Sequence, residues 1–307
     1  MLATFVGGHL GIVDGLHFYR GGSGLVAGMH VVGIGDIVVK IHRRNAGEAR
    51  LRASQRVQQH LADSGFPASR PVLAPTLIAD GIATAETMIC GEPVDGHDPA
   101  VRSETAACLH RFISVATPAS QVDLSGSDLM MPTRRSGLWG DPHDVRFDFG
   151  ATASGAEWID RLAAEAQERL RTTTAAEVVA HFDWRVENLA LRDGTIVGVY
   201  DWDSVGRAPE AVAVGQSSAQ FSTDWTIGHS TLPTTEEMAA FVADYEVARG
   251  HGFTNEERAV VEAANLMVLA YCARCEHSDR LLHPELVSSE NTWAELLRLR
   301  RGHPLGW

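Results

Sequence analysis

Lysine is almost absent from this chain of 307 residues. Of its 26 basic residues, 25 are arginines and one is a lysine, Lys40. This lysine follows an apolar run in the segment GDIVVKIHRRN, residues 35–45. A composition that favours arginine can leave one lysine by chance, so the segment alone does not decide whether Lys40 has a function.

The sequence also lacks a net positive charge and a long apolar run. A net charge of −13 argues against a broad nucleic-acid surface. No run of about 18 apolar residues is found, so no membrane span is predicted. The N-terminal segment lacks the basic start of a signal peptide. We therefore expect a cytoplasmic protein of one or two domains, with neither nucleic acid nor a membrane as its partner.

The four cysteines do not predict a disulfide framework in a chain of this size. Cys272 and Cys275 form a C-x-x-C pair, and His277 follows closely. A structural zinc site needs four ligands, and no second pair is evident. Since the pair lies within the helical pattern EAANLMVLAYCARCEHS, we interpret both cysteines as helix-packing residues.

The pattern of apolar residues divides the chain into two parts. Up to about residue 90, short β-branched runs between glycines predict strands and hairpins, with one helix at 48–64. From about residue 94 the pattern is mostly helical, and one hairpin at 188–201 interrupts it. The predicted helices span residues 100–115, 155–172, 235–249 and 255–276. Residues 1–93 carry 8 basic and 7 acidic groups, and the remainder carries 18 basic and 32 acidic groups.

Chemistry-bearing residues are concentrated in HFDWRVENLALRDGTIVGVYDWDSV, residues 181–205. Asp183 and Asn188 precede a short strand, an Asp-Gly hairpin signal follows, and a second strand ends at Asp201. Folding this hairpin brings Asp201 next to Asn188, because paired strands lie about 5 Å apart. Such an oxygen-rich cluster suits Mg²⁺, which shares its coordination with substrate phosphates. The alternative is a polar hairpin in which Asp183 and Asn188 cap local backbone.

This segment resembles the catalytic segment of the aminoglycoside phosphotransferase family. VVKIHR is similar to the family's third strand with its nucleotide-binding lysine, and ETMICGEPV is similar to the hinge between its lobes. The resemblance extends along the chain through ADSGFPASRPV, ACLHRF, AAFVADYEVARG and NLMVLAYCARCEHS. It implies an α+β fold of the protein-kinase type, with a small antiparallel-sheet N-lobe over residues 1–90 and a helical C-lobe over residues 91–307. It also implies phosphoryl transfer from a nucleoside triphosphate to a small-molecule hydroxyl.

The resemblance assigns roles to individual residues. Asp183 matches the catalytic aspartate that orients and deprotonates the acceptor hydroxyl, while Asn188 and Asp201 match the two Mg²⁺ ligands. Arg185 stands where protein kinases often carry a lysine facing the γ-phosphate, and a surface salt bridge is its alternative interpretation. His181 is expected to brace the loop. The expected nucleotide is ATP, with GTP not excluded, and its binding residues are Lys40, the backbone of Thr87 and Ile89, and the glycines Gly21, Gly22 and Gly24.

The helix glutamate that pairs with the lysine in this family is missing. Its expected position holds Ser54, so Gln55, Glu48 or the nucleotide phosphates alone are the candidates for holding Lys40. A compact ammonium on a slender stem suits a narrow slot better than a planar guanidinium, which gives Lys40 a reason to be lysine. Asp203, in the closing D-W-D, is a further residue that could assist the metal site.

The acceptor is predicted from the acidity of the helical part. A cationic, hydroxyl-bearing molecule, such as an aminoglycoside-like antibiotic, would be attracted to such a surface. The candidates for this attraction are Glu236, Glu237, Asp244, Glu262, Glu276 and Asp279. The alternative is an acidic surface that only keeps the protein soluble. Two other functions stay open: a metabolic kinase for an amino alcohol, sugar or nucleoside-like molecule, and a non-catalytic nucleotide-binding protein of the same fold.

Overall fold

A five-stranded antiparallel sheet, in the order β1-β2-β3-β5-β4, forms the N-terminal part of the protein. The computed structural model describes residues 2–21, 24–79, 81–117, 122–124, 137–140, 142–224, 232–287 and 292–306. The five strands are β1 (Val13–Gly21), β2 (Leu25–Val31), β3 (Gly35–Arg43), β4 (Pro71–Ile78) and β5 (Gly81–Thr87). Gly33 in the turn after β2 and Gly35 at the start of β3 have φ of 84° and 100°, conformations that other residues rarely adopt.

The two faces of this sheet are covered differently. Ile37 and Val39 on β3 lie on the outer face and pack with Val6 of helix α1 (Leu2–His9) in a small apolar cluster. Val38 and Lys40 alternate with them and lie on the inner face. The sequence did not predict α1, because its two glycines lower helix propensity; its packing on the sheet stabilises it instead.

Helix α2 (Glu48–Asp63) connects the sheet to the larger core. It forms where the sequence predicts it, and Leu51, Val57 and Leu61 are all buried. Val57 and Leu61 join a continuous core that includes residues from nearly every helix of the C-terminal part. Complete burial of such a side chain stabilises the fold by about 1.5–3 kcal/mol, so α2 is firmly fixed next to the inner face of the sheet.

The C-terminal part is mainly helical. Its helices are α3 (Pro99–Ala116), α4 (Glu157–Arg171), α5 (Glu210–Gln220), α6 (Thr235–Arg249), α7 (Asn255–Leu282) and α8 (Trp293–Gly302). Capping boxes, in which a threonine and a glutamate satisfy each other's backbone amides, start α6, α7 and α8. The sequence did not predict α5, whose residues are almost all buried and so show no amphipathic period, and it did not predict α8.

Two short strand pairs surround the chemistry-bearing segment. Strands β7 (Leu189–Arg192) and β8 (Thr195–Val199) form the predicted hairpin, and β6 (Glu177–His181) pairs with β9 (Val205–Pro209), which the sequence did not predict. Among the residues described above, no helix has the length and apolar character needed to cross a membrane.

Candidate active site

The loop after β6 alternates between core-facing and cleft-facing side chains. Phe182 and Trp184 are buried, and the Trp184 indole donates to the carbonyl of Thr105 at 2.9 Å. Asp183 and Arg185 alternate with them and keep part of their side chains exposed. Two buried aromatic residues therefore fix the positions of the two charged ones.

His181 fastens the start of this loop. Its Nε2 lies 2.8 Å from the carbonyl of Tyr200, and its Nδ1 accepts from the amide of Asp183 at 3.3 Å. Burial lowers the pKa of His181, so the ring is neutral. Only the tautomer with the proton on Nε2 satisfies both bonds.

Both carboxylate oxygens of Asp183 have partners. Asn188 donates from Nδ2 to Asp183 Oδ2 at 2.9 Å, and also to the Asp183 carbonyl at 2.8 Å. Arg185 pairs through Nη1 with Asp183 Oδ1 at 2.9 Å, and its Nε lies 3.3 Å from Glu187. Burial lowers the pKa of Arg185, but the surrounding carboxylates outweigh this effect and raise it overall. Arg185 is therefore a permanent cation beside Asp183, largely enclosed rather than on the open surface.

Asp201 stands at the end of the hairpin, beside Asn188. The amide of Tyr200 donates to the Asn188 carbonyl at 2.9 Å, so the next residue returns to the loop that carries Asp183. Asp201 adopts φ 62° and ψ 47°, a left-handed conformation that is uncommon outside glycine and that clusters at functional sites. Its Oδ2 accepts from Ser204 at 3.0 Å, and its Oδ1 accepts from Lys40 Nζ at 2.9 Å.

Lys40 is held between the two aspartates of the D-W-D segment. Its Nζ also lies 3.8 Å from Asp203, and its side chain is only 14% exposed. Burial lowers the pKa of Lys40, but Asp201, Asp203 and Glu86 together raise it well above its ordinary value. Burial raises the pKa of Asp203, yet the bond from His42 and the charge of Lys40 hold it well below the usual range. The ammonium of Lys40 and the carboxylate of Asp203 are thus charged together.

Neither Gln55 nor Glu48 reaches Lys40. Gln55 donates to the carbonyl of Leu73 at 2.9 Å, and Glu48 pairs with Arg52 at 2.7 Å on the exposed side of α2. The missing helix glutamate is therefore not replaced by either residue that the sequence suggested.

A buried glutamate on the sheet lies near Lys40 instead. Glu86 of β5 is 8% exposed and pairs with Val38 across β3, so it lies on the inner face of the sheet. Gln58 of α2 donates to its Oε2 at 2.6 Å and also to Ser69 at 2.9 Å. Burial raises the pKa of Glu86, and Lys40 partly offsets this. The buried carboxylate near Lys40 therefore comes from strand β5, and helix α2 contributes an amide that binds it.

Glu86 also borders a small cavity. Its Oε1 is buried and has no hydrogen-bond partner within the described part of the chain. The cavity has a volume of about 20 Å³, which is enough for one water molecule. Its lining includes Lys40, Gln55, Gln58, Thr84, Glu86 and Asp203. A glutamate inside the apolar strand pattern GIATAETM is itself an unusual signal, because glutamate is rarely buried without a partner.

Residues 88–92 connect the sheet to the helical part and lie against the β7–β8 hairpin. The Tyr200 hydroxyl donates to the Ile89 carbonyl. A Cβ on Gly91 would lie 2.7 Å from the Cα of Ala190, so glycine alone permits this approach. Across the described ranges, no hydrogen bond engages the amide of Ile89.

The other residues expected to bind nucleotide lie at strand ends. Thr87 ends β5, and both its amide and its hydroxyl bond to the backbone of Arg70 at 2.9 Å. Gly21 ends β1, and Gly22 lies outside the described residues. A Cβ on Gly24 would lie 2.7 Å from a carbonyl oxygen of β3, so this glycine is required for strand packing whatever else it does.

Helix α7 borders Asp183 on the helical side. Cys272 of α7 interacts electrostatically with Arg185 and Asp183. Burial raises the pKa of its thiol to about 12. The hydroxyl of the preceding residue, Tyr271, lies 2.9 Å from His143 Nδ1. The C-x-x-C pair is therefore part of a packed helix, as the sequence indicated, and one of its thiols faces the loop.

Most of the acidic candidates for attracting an acceptor are paired within the chain. Five of the six lie within 3.2 Å of a basic side chain: Glu237 with His97, Asp244 with Arg102, Glu262 with Arg300, Glu276 with Arg280, and Asp279 with Arg146. Their charges are largely balanced locally, which weakens the attraction expected from the total charge of this part.

The sequence and the fold both match known phosphotransferases. The sequence model of the phosphotransferase enzyme family matches residues 30–259. No curated protein has a significantly matching sequence.

Solved structures share the fold at low sequence identity. An amicoumacin kinase in complex with AMP-PNP and Ca²⁺ is 14% identical and superposes with a TM-score of 0.69, over 95% of this chain and 90% of that one. A thermostable mutant of aminoglycoside phosphotransferase APH(4)-Ia, in complex with ADP and hygromycin B, is 12% identical with a TM-score of 0.58, over 97% and 98% of the two chains. The Plasmodium vivax ethanolamine kinase is 12% identical with a TM-score of 0.54, over 94% and 82%. The predicted kinase-like α+β fold is confirmed.

Proposed function

The chain belongs to the phosphotransferase enzyme family, and from this premise we propose that it transfers the γ-phosphate of ATP to a hydroxyl group of a small molecule. The family and the phosphotransferase class are those predicted from the sequence. One observation carries the proposal: Asn188 bonds to Asp183, Lys40 bonds to Asp201, and the backbone bond from Tyr200 to Asn188 brings these two pairs together. A fold that had lost catalysis would have no reason to keep all four together.

Asp183 is the proposed base. Its carboxylate is held from two sides, by Asn188 at 2.9 Å and by Arg185 at 2.9 Å, so it is oriented before any acceptor arrives. An oriented carboxylate can accept the proton of an acceptor hydroxyl as that oxygen attacks the γ-phosphorus. Orientation in advance avoids the entropy cost of ordering the base at the moment of reaction.

Asn188 and Asp201 fit a Mg²⁺ ion. Asn188 uses its amide nitrogen on Asp183, which leaves its side-chain oxygen as a possible metal ligand, and Asp201 follows Tyr200, whose amide bonds to the Asn188 carbonyl. Hard oxygen donors, including only one or two carboxylates, are the set that Mg²⁺ prefers when phosphates complete its coordination. When bound, the ion would offset the negative charge of the nucleotide phosphates.

Two cations of the chain complete the proposed phosphate site. Lys40 is charged and fixed by Asp201, so its ammonium can be presented to the nucleotide phosphates without reordering. Arg185 is charged and partly exposed, and its Nη1 contacts the proposed base. We propose that Arg185 both orients Asp183 and stabilises the charge that develops on the transferring phosphate.

The nucleotide base is proposed to bind at residues 87–89. The amide of Ile89, which has no hydrogen-bond partner in the described part of the chain, is a suitable donor, and Thr87 supplies the neighbouring carbonyl. We keep the lobe boundary at residue 90 in this proposal, because β5 ends at Thr87 and the segment that follows leads to the helical part. The preference for ATP over GTP, the glycine loop and the cytoplasmic location stay predictions.

The acceptor is proposed to be a cationic molecule with a hydroxyl group. The overall charge of the helical part supports this, although the internal ion pairs reduce the local attraction. Structural neighbours with this fold are described as acting on, or binding, ethanolamine, hygromycin B and amicoumacin. An antibiotic acceptor, and thus a role in resistance, is one version of this proposal; a metabolic amino alcohol or sugar is the other.

A direct test is nucleotide consumption by the purified chain over a panel of amino alcohols, sugars, nucleosides and antibiotics, each with ATP and with GTP. We expect Mg²⁺-dependent ADP release with at least one hydroxylated amine, and a product that carries one added phosphate by mass spectrometry. Tight nucleotide binding without turnover on any member of the panel would favour the non-catalytic alternative.

A further inference from the structure

Two histidines and two aspartates meet on the inner face of the sheet, in a group that the proposed phosphotransfer site does not use. We name Asp14, His17, His30 and Asp36 the His–Asp cluster. His17 Nε2 lies 2.9 Å from Asp36 Oδ1, and His30 Nδ1 lies 2.7 Å from the same oxygen. The other ring nitrogen of His30 lies 4.0 Å from Asp14 Oδ1. The residues come from β1, β2 and β3.

The register of β2 and β3 explains part of this group. His30 pairs directly with Asp36 across the two strands, so their side chains share a face. Asp36 precedes Lys40 by four residues on β3, and the period of two puts both on the inner face. At about 3.3 Å per residue, the cluster lies roughly 13 Å from Lys40 along the strand.

Two irregularities in β1 explain how its two residues join the His–Asp cluster. The register of β1 with β2 shifts between Val13 and Gly15 and again between Leu16 and Phe18. The residues inserted at these two shifts are Asp14 and His17, the two members that β1 contributes. A β-bulge adds one residue to a strand and re-aims its side chain. Each irregularity of β1 therefore turns a potential ligand towards His30 and Asp36.

The three closest ligand atoms have nearly the spacing of a transition-metal site. The atoms of His17, His30 and Asp36 all lie within 4.8 Å of one another. A tetrahedral zinc ion with ligands at about 2.0–2.1 Å separates those ligands by roughly 3.3 Å. The present distances of 2.7 and 2.9 Å need to open by only about half an ångström. The side chains are 39%, 44% and 44% exposed, so they can move and an ion can enter.

We propose that the His–Asp cluster is a binding site for Zn²⁺ or a similar divalent transition metal, with His17, His30 and Asp36 as ligands and Asp14 as a fourth ligand or a hydrogen-bond partner of His30. Two imidazoles with carboxylates are donors for Zn²⁺ and its neighbours, whereas Mg²⁺ prefers oxygen alone. The site is thus chemically distinct from Asn188 and Asp201. A bound ion would tie β1, β2 and β3 together. Because the Asp36 carbonyl accepts from Met88 at 2.9 Å, it would also stiffen the start of the connecting segment.

The test uses the full chain after removal of metal by a chelator. Zn²⁺ is titrated by calorimetry, Co²⁺ is titrated as a spectroscopic probe of ligand geometry, and melting is followed with and without Zn²⁺. We expect one Zn²⁺ site whose affinity falls at least tenfold in His30→Ala and in Asp36→Asn, with loss of the Zn²⁺-dependent rise in melting temperature. His251→Ala, at an exposed histidine after α6, is the matched control and should bind like the wild type.

Circular dichroism identifies any variant that does not fold, and His17→Gln then replaces it as a milder change. Equal Zn²⁺ isotherms for the wild type and for the folded cluster variants would overturn the proposal. So would the absence of Zn²⁺ binding by the wild type, which would leave the cluster as a hydrogen-bonded surface group. Neither result bears on phosphotransfer, since the cluster shares no residue with that site.

Discussion

Replacing Glu86 by glutamine is expected to stabilise the protein at neutral and basic pH. Glu86 is 8% exposed, and burial raises the pKa of its carboxyl although Lys40 and Gln58 oppose this. A raised carboxyl pKa gives the folded state its full stability below the unfolded pKa of about 4.3, and this stability is lost as pH rises through the folded-state pKa. Glutamine retains an oxygen that can accept from Gln58, but it cannot ionise.

The magnitude follows from the same linkage. Between the unfolded and folded pKa values, the wild type loses up to about 1.4 kcal/mol of stability per pH unit, and Glu86→Gln is free of this loss. In a chain of this size, 1 kcal/mol corresponds to a melting-temperature change of about 1.5 °C. The gain should therefore be measurable at pH 8 and should vanish near pH 4.5. Activity should change less than about tenfold, or about 1.4 kcal/mol, because Asp201 at 2.9 Å and Asp203 at 3.8 Å still hold Lys40.

The assay is denaturant or thermal unfolding of both proteins at pH 4.5, 6 and 8, together with steady-state kinetics at pH 8. Glu48→Gln is the matched control, because Glu48 lies on the exposed side of α2 and pairs with Arg52 at 2.7 Å. Glu48→Gln should show no pH-dependent gain in stability over the wild type. The reasoning would be refuted if Glu86→Gln were less stable than the wild type at pH 8. It would also be refuted if the difference in stability between the two proteins were the same at all three pH values. Glu86 would then be a stabilising anion for Lys40.

Three further predictions concern the proposed phosphate and acceptor sites. Lys40→Arg should reduce turnover nearly as much as Lys40→Ala, because a planar guanidinium differs in bulk and donor geometry from the ammonium that lies between Asp201 and Asp203. Wild-type turnover would make the single lysine an accident of composition. Arg185→Met should lower kcat by about 100-fold with a smaller change in the KM for nucleotide, in line with the loss of one transition-state donor; an effect on KM alone would assign Arg185 to ground-state binding. The KM for a cationic acceptor should rise as salt shortens the Debye length below about 8 Å, with the KM for nucleotide as the control, and a flat acceptor KM would argue for an uncharged acceptor.

Features determined by local sequence signals were predictable. The hairpin of β7 and β8 follows from an Asp-Gly turn between two short apolar strands, and α2 follows from the spacing of its apolar residues. The neighbouring positions of Asn188 and Asp201 follow from the hairpin alone. In each of these features, a few consecutive residues determine the backbone conformation.

Features that depend on tertiary packing were not predictable in the same way. The partners of Lys40 come from the hairpin and β5, so its link to Asp201 spans 161 residues and Glu86 faces it from a neighbouring strand. Helix α5 is buried on all sides and therefore shows no amphipathic pattern. The two irregularities of β1 depend on its register with β2, which no local pattern determines. Gln55 and Glu48 were the wrong candidates for holding Lys40. Their positions along α2 do not reveal which residues of the sheet lie opposite the helix.

The most direct test of the proposed function is the turnover of Asp183→Asn. Asparagine keeps the shape of the side chain but removes the proton acceptor, so kcat should fall by about 100-fold or more. Nucleotide affinity, measured separately by calorimetry, should change little, which also shows that the variant is folded. Asp63→Asn, at an exposed aspartate that pairs with Arg70 at 2.6 Å on the sheet side of the protein, is the matched control and should retain wild-type kcat. Wild-type turnover in Asp183→Asn would remove Asp183 from the mechanism and contradict the proposed active site.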